Sequence, residues 1–211
     1  MDPDTRLYPV NLVVEGRRCL VVGGGPVAAR KARGLLDCGS QVHVVGVSVG
    51  PDVRALEGAT WEERPYDTAD LRECWLVVTA TDDPELNRRV HDEAVGAGIW
   101  VNSADDPANC TFILPAVVRR GPLLVTVSTS GQSPALAAWL RDRVDADLGP
   151  EFVTLLDILS EVREEIRSAG RPTEGLDWQS ALDSGMLELV REGRLAEAKE
   201  RLQACLSLPS A

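Results

Sequence analysis

The stretch that most restricts what this chain can fold into is residues 18–36, RCLVVGGGPVAARKARGLL. An apolar run, Cys19, Leu20, Val21 and Val22, meets three consecutive glycines and then an Ala/Arg/Leu-rich segment of helical character. That order predicts a strand, a tight turn and a helix. Gly23, Gly25 and Ala28 fit G-x-G-x-x-G/A, and each place has a physical reason. The first glycine permits the sharp turn, the second lets a pyrophosphate reach the backbone, and a small third residue lets the helix pack on the strand. Pro26 stands where a first-turn proline loses no helical hydrogen bond. The helix start offers free N–H groups and a positive dipole end to a phosphate. Gly23, Gly24, Gly25, Pro26, Val27 and Ala28 are therefore candidate contacts of a dinucleotide cofactor.

The 211 residues suffice for one large or two modest domains. No apolar run approaches the ~20 residues that span a bilayer, and the opening MDPDTRLYPV lacks the basic-then-apolar order of a signal peptide, so a soluble, cytoplasmic protein without a membrane partner is expected. The 5 cysteines are scattered and contain no C-x-x-C pair, which argues against a disulfide framework or a structural metal site. A formal charge of −11 argues against nucleic acid as a partner. The cations are nearly all arginine, the side chain suited to forked recognition of carboxylates and phosphates.

Taken in order, YPVNLVVEG reads as an edge strand leading into the glycine turn. Gly39 ends the first helix, and strands are expected at 41–47, 60–63, 75–79 and 99–102, with short or full helices at 51–56 and 84–95. Strands alternating with helices imply a parallel, doubly wound sheet. The residues after the second strand, Gly46, Val47 and Ser48, lack the acidic side chain that commonly holds the ribose of a dinucleotide. The runs 112–118 and 123–127 around Arg-Arg-Gly-Pro predict a β-hairpin, and Ser133-Pro134 an N-cap and first turn of a helix to about 144. The remainder is helical in composition, with helices at 151–169, 176–190 and 194–205. Leu155, Ile158, Leu159, Val162 and Ile166 fall on one face. The fold class is α/β: a doubly wound sheet over 1–111, a hairpin-and-helix segment over 112–148, and a small all-helical domain over 149–211.

The 2 histidines, His43 and His91, sit in a strand and a helix, which leaves little for histidine-based hydrolysis or zinc chemistry. Thr79, Thr81, Asp82 and Asp83 stand at the carboxyl end of a strand, where open α/β sheets place ligands; helix capping ahead of Pro84 is the competing use of the two aspartates. Asp105 and Asp106 follow the next strand end; a carboxylate in a closed site can act as a general base, and an Asx turn before Pro107 is the alternative. Ser128, Thr129, Ser130 and Gly131 open a hydroxyl-rich loop that enters a helix N-terminus and suits an anionic group, or simply caps that helix.

Together, YPVNLVVEGRRCLVVGGGPVAARKARGLL, VVTATDDPELN and VNSADDPANCTFILPAVVRRGPLLVTVSTSGQSPALAAWLR resemble the precorrin-2 dehydrogenase/sirohydrochlorin ferrochelatase family, which also forms the N-terminal half of fused siroheme synthases. The discriminating parts are the glycine run continuing into VAARK and the pairing of VNSADDP with STSGQSPALAAWLR. The resemblance implies a Rossmann-like NAD-binding domain, an NAD-dependent oxidation of precorrin-2 to sirohydrochlorin and, in many members, insertion of ferrous iron to give siroheme, a lyase step. It also implies a homodimer built through residues 112–148. By the family pattern Asp105 is the carboxylate of both steps, Ser128 and Thr129 lie near the substrate, and Asn87 with the 79–83 loop faces the cofactor. For the tetrapyrrole carboxylates we nominate Arg119, Arg120 and Arg141; no resident metal is expected, iron being a substrate. Two alternatives stay open: a dehydrogenase that leaves metal insertion to another enzyme, and a non-catalytic module sensing NAD(H).

Overall fold

The computed structural model describes residues 6–104 and 106–207. The chain divides into two compact units, Met1–Leu114 with Ser130–Gln132, and Pro115–Thr129 with Ser133–Ala211.

The first unit holds a five-stranded parallel sheet: β1 (Arg18–Val22), β2 (Gln41–Gly46), β3 (Ala59–Glu63), β4 (Leu76–Thr79) and β5 (Trp100–Ser103), in the order β3-β2-β1-β4-β5. Because both faces are covered, the central strands are apolar without a break. Cys19, Val21, Val44 and Val78 point into one core with Ala28 and Ala32 of α1 (Pro26–Leu36) and Val53 of α2 (Pro51–Arg54). Leu20, Val22, Val45 and Val77 point into the other, against Val90 and Ala94 of α3 (Pro84–Gly96). This is the doubly wound arrangement expected. The small face of α1 brings its first turn close to the carboxyl end of β1.

The opening segment differs from expectation. Residues 7–15 form no strand, although Leu12 packs against the sheet core and Val14 is buried. The Gly16 N–H bonds Gly39 O (2.8 Å) and Arg17 N–H bonds Val14 O (3.0 Å), so the chain turns at the sheet's amino end and joins the ladder only from Arg18.

In the second unit, β6 (Ala116–Arg120) and β7 (Leu123–Val127) form an antiparallel ribbon against α4 (Pro134–Asp147). Residues 112–115, expected as strand, precede it without pairing. Next come α5 (Glu151–Ser168), α6 (Trp178–Leu182), α7 (Met186–Arg191) and α8 (Leu195–Ser207). Leu155, Ile158, Val162 and Ile166 of α5 meet Met186, Leu189 and Leu202 in a separate core, Leu159 packing at its edge. The single helix expected over 176–190 is two, because Gly185 takes a left-handed conformation (φ 86°) between them.

Candidate functional site

The carboxyl ends of β1, β2 and β4 are pinned to one another through backbone. Gly23 N–H bonds Val45 O (2.8 Å), Ala80 N–H bonds Val22 O (2.8 Å) and Gly50 N–H bonds Gly24 O (2.9 Å). Gly23 has φ 127° and a Cβ there would collide with the Ala80 carbonyl; one at Gly24 would collide with the Ser48 carbonyl. Gly25 is the opposite case, with open space where a side chain would stand. It is the N-cap of α1 and supplies no side-chain cap, the first turn holds no acid, and the Ala29 N–H bonds Gly25 O (3.0 Å). The Val27 and Ala28 N–H groups thus face an open, uncapped helix start, a donor set that fits a pyrophosphate.

The β4 end is organised by hydroxyls and an amide. Thr79 is fully buried and donates to Ser103 Oγ at the end of β5 (2.9 Å), so its side chain braces the sheet edge from behind. Buried Asn87 grips the loop: Thr81 donates to Asn87 Oδ1 (2.7 Å), and Asn87 Nδ2 donates to Thr81 O (3.0 Å). Asp83 accepts the Glu85 and Leu86 N–H groups as N-cap of α3, while Asp82 is exposed.

Beyond β5, Ala104 N–H bonds Thr79 O (2.8 Å); Asp105 lies outside the described residues. Asp106 realises the Asx-turn alternative, accepting Ala108 N–H (3.2 Å) and Asn109 Nδ2 (2.7 Å) over the 3-10 turn Pro107–Asn109. Cys110 Sγ receives the Ser103 N–H (3.2 Å), and burial raises its thiol pKa, so it stays a protonated packing group near neutral pH.

After β2, Val47 and Ser48 are exposed. Sequence reasoning missed the charged pair beside them. Glu63, at the end of β3 and the register partner of Gly46, accepts the Val49 N–H (3.0 Å) and Arg54 Nη2 (2.6 Å), while Arg54 Nε donates to Val49 O (2.9 Å). Only the strand pairing reveals it, since Glu63 is 17 places from Gly46 by number yet beside it in the sheet.

In the second unit, Thr129 Oγ1 receives the Ser133 N–H (3.1 Å), and Ser133 Oγ caps α4 through Leu136 N–H (3.2 Å). Ser128 is exposed at the end of the ribbon. Arg120 is paired with Asp145 (2.6 Å) and Arg141 with Asp142 (2.7 Å), and Arg119 is exposed on β6. Ser130 and Gly131, grouped with the first unit, both take positive φ (53° and 79°). Among the described residues no cluster of three or more His, Cys, Asp or Glu could hold a metal ion, and no helix is long and apolar enough to cross a membrane.

A doubly wound sheet with an uncapped glycine turn defines a dinucleotide-binding fold, and the chain belongs to the family described as "Putative NAD(P)-binding", whose model matches residues 10–116. A second model, sirohaem biosynthesis protein central, matches residues 120–146. Among curated relatives, the siroheme synthase of Nitrosococcus oceani is 35% identical over 203 residues, covering 94% of this chain and 43% of that protein. That of Pseudomonas putida is 38% identical over 197 residues, covering 90% and 42%. The chain thus spans less than half the length of these relatives. Among solved structures, SirC, a precorrin-2 dehydrogenase, superposes with a TM-score of 0.73 at 25% identity, covering 96% of this chain and 100% of that one. The resemblance read from the sequence is borne out.

Proposed function

We propose that this protein is a nicotinamide-dependent precorrin-2 dehydrogenase that forms sirohydrochlorin on the route to siroheme, with NAD as its dinucleotide. The observation that carries this reading is the correspondence, over 96% of this chain, with the whole of a precorrin-2 dehydrogenase, joined to a helix start that fits a pyrophosphate. Oxidation of the macrocycle removes a hydride and a proton. The dinucleotide, when bound, supplies the hydride acceptor. The Val27 and Ala28 N–H groups would hold the pyrophosphate, and Asn87 fixes the Thr81 loop at the β4 end. By the family resemblance Asp105 takes the proton and Ser128 and Thr129 bind the tetrapyrrole; Arg119, Arg120 and Arg141 are our nominees for its carboxylates. Arg120 and Arg141 are already paired with Asp145 and Asp142, and their exposed guanidinium groups carry further N–H donors for a substrate carboxylate.

The reading includes a cytoplasmic homodimer. What supports the dimer is the apolar surface on the ribbon and α4, where Val117, Leu136 and Trp139 are exposed.

The test is anaerobic spectroscopy of precorrin-2 with NAD and the purified protein. Conversion to sirohydrochlorin with NADH formation is expected; NAD binding without turnover would favour the sensing module. Ferrous ion added to the same cuvette then tests the insertion step. Asp105→Asn is expected to keep NAD binding and lose most oxidation. Activity within about threefold of the parent, under ~1 kcal/mol of barrier, would remove Asp105 from the role of base.

A further inference from the structure

The end of β2 carries no acid, yet a dinucleotide lying on the glycine turn places its adenosine ribose at that end. Selection between the plain 2′-hydroxyl and a 2′-phosphate is made there, by an acidic side chain for the first and an arginine for the second. Both charge types are present at residue 49, delivered by other elements. Glu63 from β3 and Arg54 from α2 bond the N–H and the carbonyl of Val49. The same loop is locked to the glycine turn by Gly50 N–H on Gly24 O.

The state of the arginine decides which nucleotide this edge accepts. Arg54 is held on three sides: its Nη2 by Glu63 (2.6 Å), its Nε by Val49 O (2.9 Å), and its guanidinium over the Trp61 ring at 4.3 Å. Its charge is already met by a carboxylate. Both bonds to Glu63 fall on Oε2, so among the described residues Oε1 keeps acceptor capacity. The side chains of Arg54 and Glu63 are 45% and 46% exposed. A pair that open adds little to folding, so its consequence lies in the local charge it presents. Arg64, the next residue along the chain, is engaged by Glu62 and Asp70.

We propose that Glu63 is the specificity-determining residue for the dinucleotide: acting from β3, it neutralises Arg54 and presents a carboxylate to the ribose edge, so that NAD is selected over its 2′-phosphorylated form. The inference rests on the dinucleotide reading above and adds to it the residue that sets the choice. It also accounts for the absent acid after β2, because the register partner of Gly46 fills that place from the adjacent strand.

Calorimetric titration of the full chain with NAD and with NADP, without any tetrapyrrole, tests it. The parent protein is expected to bind NAD at least tenfold more tightly, about 1.4 kcal/mol. Glu63→Gln releases Arg54 and should shrink that ratio at least fivefold. Arg54→Ala leaves the Glu63 carboxylate unopposed and should widen it, and Glu62→Gln should leave it unchanged. A parent that binds NADP as tightly as NAD overturns the proposal, as does a folded Glu63→Gln protein with an unchanged ratio. If Glu63→Gln does not fold, Arg54→Ala decides: a wider ratio supports the proposal, an equal or smaller one overturns it. Failure of the parent to bind either nucleotide would instead bring down the dinucleotide reading itself.

Discussion

Two neighbouring glycines with opposite surroundings show how single positions divide the work at the β1 turn. Gly25 has space for a side chain and Gly23 has none. Gly25→Asp should therefore fold, yet place a carboxylate over the uncapped helix start, where it caps the N–H groups and repels a pyrophosphate. Loss of NAD binding by calorimetry, with an unchanged circular dichroism spectrum, is the expected outcome; unchanged affinity would displace the site. A second residue-scale prediction concerns Asp70. Its burial works to raise its pKa, but Arg64, donating at 2.6 and 2.8 Å, and the Asp67 N–H outweigh this and hold the carboxyl below its ordinary range. A depressed carboxylate contributes stability that is present above the unfolded value near 4 and is lost as pH falls through the folded one. Arg64→Ala strands a buried charge and should cost on the order of 2–3 kcal/mol at pH 7 in urea denaturation. That difference should shrink below about pH 4, as protonation removes the charge that Arg64 serves.

Among the elements, the ribbon β6–β7 with α4 is the layer with least of its own core, Val118 and Ala137 being its buried apolar residues among those described. If a second copy covers it, Val117→Lys should give a monomer by analytical ultracentrifugation while leaving the helical core intact. The parent dimer and variant monomer are the expected pair. Legibility in the sequence also varied by element. The sheet strands announced themselves because burial on both faces demands unbroken apolar runs, and α1, α3 and α4 because each begins on a proline behind Gly25, Asp83 or Ser133. The break before α7 was harder, since an isolated glycine inside a helical pattern is often tolerated, and only the φ of Gly185 reveals the turn. YPVNLVVEG has strand composition but forms no strand, and composition alone carries no information about partners. Nor does the sequence show that Thr79, placed at a strand end as a cofactor contact would be, bonds its hydroxyl to Ser103, 24 residues on.

For the whole molecule, the cores are built from separate sets of elements, one on each face of the sheet and one around α5, α7 and α8. A ligand that binds only the folded sheet unit stabilises it by mass action, about 2.7 kcal/mol at a hundredfold excess over Kd. Hydrogen exchange with NAD at that excess should slow amides in β1, β2 and β4 and leave those of α5 and α8 near their unliganded rates. Equal slowing in both units would mean that they share one opening event.

The middle glycine of the turn has a consequence for anyone who transplants this site. Position 24 is a free choice in a G-x-G pattern, yet here the carbonyl of Ser48 occupies the volume any side chain would need. The segments 23–25 and 46–50 are therefore one cassette in two pieces of sequence. A graft that moves the first without the second, or admits alanine at 24 because the pattern permits it, would arrive with its halves in collision.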